Sequence, residues 1–354
     1  MISRTSFGVT PKGLPASTYT LSAGPVQLTL TDFGAAVQSL KVVGSDNKQH
    51  DIVLGFDKLE DYFDNPACHG ATIGPSANRI DKAEVPLHGT LYHLPKNDGP
   101  SKQNNLHTDL ARGLHKRLWH AAPDDEKNAV VFTLSVPDGE FGLPGARRFT
   151  VCYALVSTTT GTELLLSQEC VSDQPTFVNM TNHMYFNLSG HNSGTVRNHA
   201  VRINAKNYLP LRADCVSQGL RAPVAGGPFD FRSEKLIGAD IDADNEQLHI
   251  AHGYDHCFCI DGYRSEAAPR VALAATGAKA RLEIALTAPG AHFYTGNWLN
   301  DRNAKEGAIY RPNDGFAFEP EFYPDCIHHP EWDQSICEPE HPWHSKIVYR
   351  ITPR

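Results

Sequence analysis

The chain lacks any run of about 18 uninterrupted apolar residues, so no segment is fit to cross a bilayer as a helix. It also lacks a cluster of lysine and arginine, and its formal net charge is −8. Phosphate binding needs concentrated positive charge, so neither nucleic acid nor an anionic membrane is expected as a partner. None of its eight cysteines forms a C-x-x-C pair, which removes the common thiol-based metal and redox motifs. Cys257 and Cys259 stand two apart in an apolar segment and should share one strand face as small, reduced core residues. The opening MISRTSFGVTPKGL has no apolar signal core, so a cytoplasmic protein is expected. Low-complexity linkers and fixed-period repeats are missing too, which makes residues 1–354 read as a single domain.

What is present is a turn-rich globular composition: 40% hydrophobic and 20% charged residues, with 28 glycines and 24 prolines spread from end to end. Period-two alternation dominates. Val26, Leu28 and Leu30 face one way while Gln27, Thr29 and Thr31 face the other, and Val37 to Val43 continues the pattern beyond Gly34. The same signal runs through Ala129 to Val136, Phe149 to Leu155, Leu164 to Val171, Val201 to Ala205, Val271 to Ala275, Leu282 to Thr287 and Ile347 to Ile351. Turn clusters separate these runs, as at Gly44 to Asn47 and Gly226 to Pro228. Only Leu59 to Phe63 offers a short helix. The predicted fold is all-β, a large antiparallel β-sandwich. His249 with His252, and His341 with His344, have i, i+3 spacing but lie among turn residues, so no metal is expected there.

Chemistry concentrates in a few segments where aromatics stand beside Asp, Asn, Arg and His: ATIGPSANRI, NNLH, TNHMYFNL, GYDHCF, YTGNW and FAFEPEFYPD. That mixture suits a carbohydrate, whose apolar ring faces stack on aromatics while its hydroxyls need donors and acceptors. In the last segment Glu319 and Glu321 fall on one strand side. In a partly dry pocket one of them becomes a general base; periodicity alone favours two solvated side chains on an edge strand marked by Pro320. His183, with Tyr185 on the same face, is either a proton donor or a core histidine satisfied by backbone. Arg79 reads as a pocket cation or a surface ion-pair residue, and Asp255 as a hydroxyl acceptor or a turn cap.

Taken in order, these segments resemble the aldose 1-epimerase (galactose mutarotase) family. The resemblance extends from DFGAAVQSL and DIVLGF, through DGEFGLPG and FDFR, to HPEW. It implies a fold of the galactose mutarotase type and a cofactor-free enzyme, a monomer or homodimer, that interconverts the α and β anomers of a free aldohexose. Carried onto this sequence, it implies Glu319 as general base, His183 as general acid at the ring oxygen and His107 as a second histidine on that side. Asn78 and Arg79 would bind ring-proximal oxygens, Asp255 would accept from hydroxyls, and Tyr185 and His292 would line the substrate site. Opening a cyclic hemiacetal needs a base at the anomeric hydroxyl and an acid at the ring oxygen, so these residue types fit the reaction.

The sequence departs from the family pattern at several places. Pro75 and Ser76 stand where many relatives carry an arginine, Thr108 and Asp109 replace a double glycine and the loop that follows, Leu110 to His115, is one residue longer, His292 takes a position often filled by glutamine, and His328 replaces a common asparagine after PDCI. Three rival readings follow: a hexose-6-phosphate epimerase, which needs more converging cations; a glycosidase with two carboxyls roughly 5–9.5 Å apart; and a sugar-binding protein that has kept the pocket without the reaction.

Overall fold

The alternating runs become the interior of three antiparallel sheets in a computed structural model that describes residues 1–263 and 268–354. The first 51 residues form a five-stranded meander, from Ser3–Val9 to Gln49–Asp51. A nine-stranded sheet is centred on Arg147–Thr158, Gly161–Ser172 and Trp343–Pro353. Inward residues of these strands, among them Phe149, Val151, Leu164, Leu166, Ile347 and Tyr349, are buried in the largest apolar cluster. Strand length and burial thus come from one cause, a long period-two pattern with a core on one side.

The third sheet has six strands, in the spatial order Tyr185–Phe186, Phe316–Glu321, Gly290–Tyr294, Asp255–Ile260, Ala205–Tyr208, Ala222–Pro223. Phe316, Phe318, Ala291, Phe293 and Phe258 point into the same large cluster as the other sheets. By alternation, Glu319, Glu321, His292, Asp255 and Cys257 project from the opposite face. Cys257 and Cys259 do share a side, in a smaller cluster with Tyr323 and Trp332, and all eight cysteines are free thiols.

Several expectations are corrected. Val201 to Ala205 is not one strand: Ala200–Ile203 belongs to the nine-stranded sheet and Ala205–Tyr208 to the six-stranded one. The chain changes sheets at Asn204, whose N–H donates to Ala272 and whose carbonyl accepts from Asp261. Glu319 and Glu321 are not solvated edge residues, being 2% and 1% exposed on the second strand of six. Pro320 lies past the end of the neighbour Tyr185–Phe186, which pairs only with Ala317 and Phe316, on a stretch where one side of the strand carries no ladder. Leu59–Asp64 is helical as expected, but a second helix, Glu246–Ala251, forms behind an Asn245 cap that accepts from Gln247 and Leu248. His249 therefore sits in a helix rather than a turn. Among the described residues no helix is long and apolar enough to cross a membrane.

One buried ion pair fastens the meander to the segment between the site strands Gly290–Tyr294 and Phe316–Glu321. Lys305 Nζ donates to Asp51 Oδ2 at 2.7 Å and to the carbonyls of Val53 at 2.7 Å and Gln38 at 3.0 Å. Both side chains are 4% exposed. Lys305→Ala strands a buried carboxylate, so urea unfolding should register a loss of about 3–5 kcal/mol. A loss below about 1 kcal/mol would show that the pair does not anchor the fold.

Candidate active site

A cleft of about 430 Å³ opens on the polar face of the six-stranded sheet, within the usual size of small-molecule sites. Asn78, Arg79, His107, His183, Tyr185, Asp255, His292 and Glu319 all line it. Every residue implied by the resemblance is thus brought to one place. Glu319 and His292 come from adjacent strands and are register partners, so their side chains rise together from one face. Asp255 starts the next strand and pairs with Tyr294, which replaces its turn-cap reading. His183 is held by its backbone, with N–H donating to Ala71 at 2.9 Å and carbonyl accepting from Gly70 at 3.0 Å.

The central contact is His183 Nε2 to Glu319 Oε1, 3.5 Å apart, with side chains 6% and 2% exposed. The second Glu319 oxygen is buried without a hydrogen-bond partner. Burial first, and the neighbouring Glu321 charge, push the Glu319 carboxyl well above its ordinary 4.5, against an opposing pull from His292. Burial likewise takes the His183 imidazole down to about 3. Both shifts favour uncharged forms. The empty cleft therefore keeps the proton of this pair on the carboxyl. The His183 ring also lies 4.8 Å from that of Tyr185 and 5.5 Å from that of His107.

Asn78 lines the cleft and also ties the site together. Its side-chain amide donates to Glu321 Oε1 at 3.3 Å, its side-chain oxygen accepts from the Arg79 N–H, and its backbone N–H donates to His107 Nδ1 at 3.1 Å. Because His107 Nδ1 accepts, the neutral ring carries its proton on Nε2. Arg79 donates to Asp98 at 2.8 Å and stands 3.9 Å from Asp255, so it is a cleft residue and an ion-pair residue at once. His292 Nε2 lies 2.8 Å from Asp255 Oδ1 and its Nδ1 lies 3.5 Å from Glu321 Oε1.

The Thr108 and Asp109 replacement does not displace His107. Both His107 (φ 53°) and Thr108 (φ 65°) adopt left-handed backbone, which is costly for a β-branched residue. Thr108 offsets that cost through its hydroxyl, which accepts from the Ser76 N–H at 2.8 Å and donates to the Ser76 carbonyl at 3.0 Å. Asn105 closes the turn by accepting from the Thr108 N–H at 3.1 Å. Side-chain bonds here do the work that conformational freedom would do for glycine.

A family model described as aldose 1-epimerase matches residues 17–350. The chain belongs to the aldose 1-epimerase family. Galactose mutarotase of Rattus norvegicus is 36% identical over 341 residues, 96% of this chain and 95% of its own length. Aldose 1-epimerase of Escherichia coli K12 is 36% identical over 329 residues, 92% of each chain. Among solved structures, galactose 1-epimerase from Lactobacillus acidophilus superposes with a TM-score of 0.84 at 25% identity, covering 100% of this chain and 99% of that one. The resemblance read from the motifs is therefore correct, the fold is of the galactose mutarotase type, and the protein is a carbohydrate isomerase, an aldose 1-epimerase.

Sequence reasoning missed several parts of this epimerase site. Asp98, the partner of Arg79, comes from a loop with no motif of its own. His69 packs on Tyr185 at 4.9 Å between ring centres and bonds Asp301 at 3.0 Å. Tyr294 and Trp298 line the cleft; YTGNW had drawn attention only as a segment. Arg79 is the sole arginine or lysine among the lining residues, which disfavours a phosphorylated substrate, and Glu321 is tied behind the cleft rather than opposed to Glu319 across it.

His107, His183 and Glu319 present donor atoms all within 4.8 Å of one another, a spacing that a divalent cation could span. A metal-bound histidine ordinarily donates from its other ring nitrogen, whereas His107 Nδ1 accepts and Nε2 carries the proton. The site is thus set for proton transfer. Anomerisation rates should survive exhaustive chelation with EDTA; loss of activity restored by zinc or manganese would contradict this.

Proposed function

We propose that the cleft interconverts the α and β anomers of free aldohexoses such as glucose and galactose by acid/base ring opening. The observation that carries the mechanism is the unpartnered buried oxygen of Glu319 beside His183. In the working form the proton resides on His183 and the charge on Glu319, an ion pair favoured over the empty-cleft state once sugar hydroxyls solvate it. Glu319 takes the proton of the anomeric hydroxyl, the C1–O5 bond breaks with its electrons passing to O5, and His183 delivers a proton there. Rotation about C1–C2 exposes the other face of the aldehyde, and the same two groups run the steps backwards.

His107, donating from Nε2, supports the ring oxygen, while Arg79 and Asp255 meet hydroxyls farther round the ring. Tyr185, Tyr294 and Trp298 offer apolar surface to the sugar faces. Asn78 acts as a brace. The three sheets share one apolar core, which supports one domain over residues 1–354, and eight free thiols support a reducing, cytoplasmic setting.

Polarimetry of freshly dissolved α-D-glucose and α-D-galactose should show mutarotation far faster than buffer. Glu319→Gln should lower kcat by about 10²–10⁴-fold with the fold intact; near-normal turnover would place the base elsewhere, and Glu321→Gln should lose much less. Activity requires the pair to keep its single proton, and the affinity of Glu319 for that proton is raised, so kcat/KM should fall as pH rises through a limb that lies above the ordinary glutamate range. Activity already lost on rising through the ordinary glutamate range, about pH 4–5, would contradict a raised proton affinity.

A further inference from the structure

His292 stands out because both of its ring nitrogens face carboxylates. Nε2 is 2.8 Å from Asp255 Oδ1, and Nδ1 is 3.5 Å from Glu321 Oε1. The Asp255 contact is a hydrogen bond and the Glu321 contact a charge contact without one; a neutral ring would turn an unprotonated nitrogen toward one of the two carboxylates, so the doubly protonated ring suits both. The side chain is 3% exposed, so water cannot share the task. With both nitrogens facing carboxylates, the ring has no free donor for a sugar hydroxyl.

The groups around it explain why a cation is needed there. From the strand Asp255–Ile260 come Asp255, Cys257 and, on the far face, His256; from Phe316–Glu321 come Glu319 and Glu321; Tyr294 lies on its own strand. Loops add His107 and His183, and the short strand Arg79–Ile80 adds Arg79, around the same cleft. Three carboxyls therefore converge, Glu319 and Glu321 buried and Asp255 partly so, and the other cation, Arg79, is drawn toward Asp98 at 2.8 Å. The carboxyls differ in what they receive from the ring. Asp255 and Glu321 make direct contacts, whereas Glu319, the register partner on the adjacent strand, feels only its charge.

We infer that His292 is the resident cation of the epimerase site, held between Asp255 and Glu321, and that its charge sets how firmly Glu319 holds the proton it shares with His183. This rests on the reading of Glu319 as the base. His292 is a positioning residue and does not take part in proton transfer to the sugar. The titration behaviour agrees: burial would lower the imidazole, but the hydrogen bond to Asp255 first and the nearby Glu321 carboxylate second lift it to about 10. Burial would raise the Asp255 carboxyl, yet the His292 hydrogen bond brings it to about 2. In Glu319 the His292 charge is the largest influence opposing burial.

The test is the kcat/KM pH profile of His292→Gln, which keeps a hydrogen-bonding side chain and removes the charge. The alkaline limb should move to higher pH by about one unit. A purely structural loss would lower the plateau without moving the limb. A limb at the wild-type pH overturns the inference, while the Glu319→Gln variant, assayed alongside, shows separately whether Glu319 is the base.

Stability gives a second readout. A pKa raised on folding contributes stability that is present below about 6.5 and lost as pH rises through about 10. Over that window wild type should lose more thermal stability than His292→Gln; parallel curves would overturn the inference. Should the variant fail to fold, a histidine NMR titration of wild type decides the matter: the His292 ring should remain protonated at pH 8, and a neutral ring there would refute the proposal.

Discussion

The site depends on stripping water from one carboxylate. Glu319 sits on an interior strand of a sheet whose other face is packed against the main core, so the backbone that carries it cannot relax toward solvent. An ionised carboxyl in such a place is costly unless it is paired, and one of its oxygens has no partner. That unmet demand is what a hemiacetal hydroxyl supplies. His183, fixed by two backbone hydrogen bonds, is held at the distance from which one proton can be passed between acid and base through a substrate. The large apolar core serves this arrangement by making the six strands rigid.

Around that carboxyl the protein arranges charge unevenly. Asp255 is stabilised by a direct bond to His292, Glu321 by Asn78 and by the same ring, and Glu319 by neither. Three carboxyls of one chemical type thereby acquire different proton affinities, and only the least supported one faces the reaction. Asn78 extends the same logic to His107: one residue fixes a carboxylate with its side chain and a histidine tautomer with its backbone. A change in any of these braces is felt at the acid and base without touching the sugar.

Much of this was legible in the sequence, for identifiable reasons. The alternation in Phe316 to Glu321 placed both glutamates on one face, and the period-two runs from Ala129 to Val171 marked the centre of the largest sheet. Spacing alone could not choose between a pocket and an edge, because that depends on which strands flank the segment; the ordered motifs made that choice. The Gly290–Tyr294 strand escaped notice because its alternation of Ala291 and Phe293 with His292 and Tyr294 runs for only five residues between turn segments. Asp98 was invisible for another reason: its role arises only when its loop folds back on Arg79. The replacement at Thr108 and Asp109 looked disruptive in sequence, and only the bonds to Ser76 reveal how the turn is kept.

The account turns on where one pyranose binds. A crystal structure of the protein soaked with a slowly turning-over or inert hexose analogue measures this directly. The anomeric oxygen should lie within hydrogen-bond distance of Glu319, and the ring oxygen within hydrogen-bond distance of His183. A sugar seated with its anomeric carbon away from both residues would contradict the mechanism.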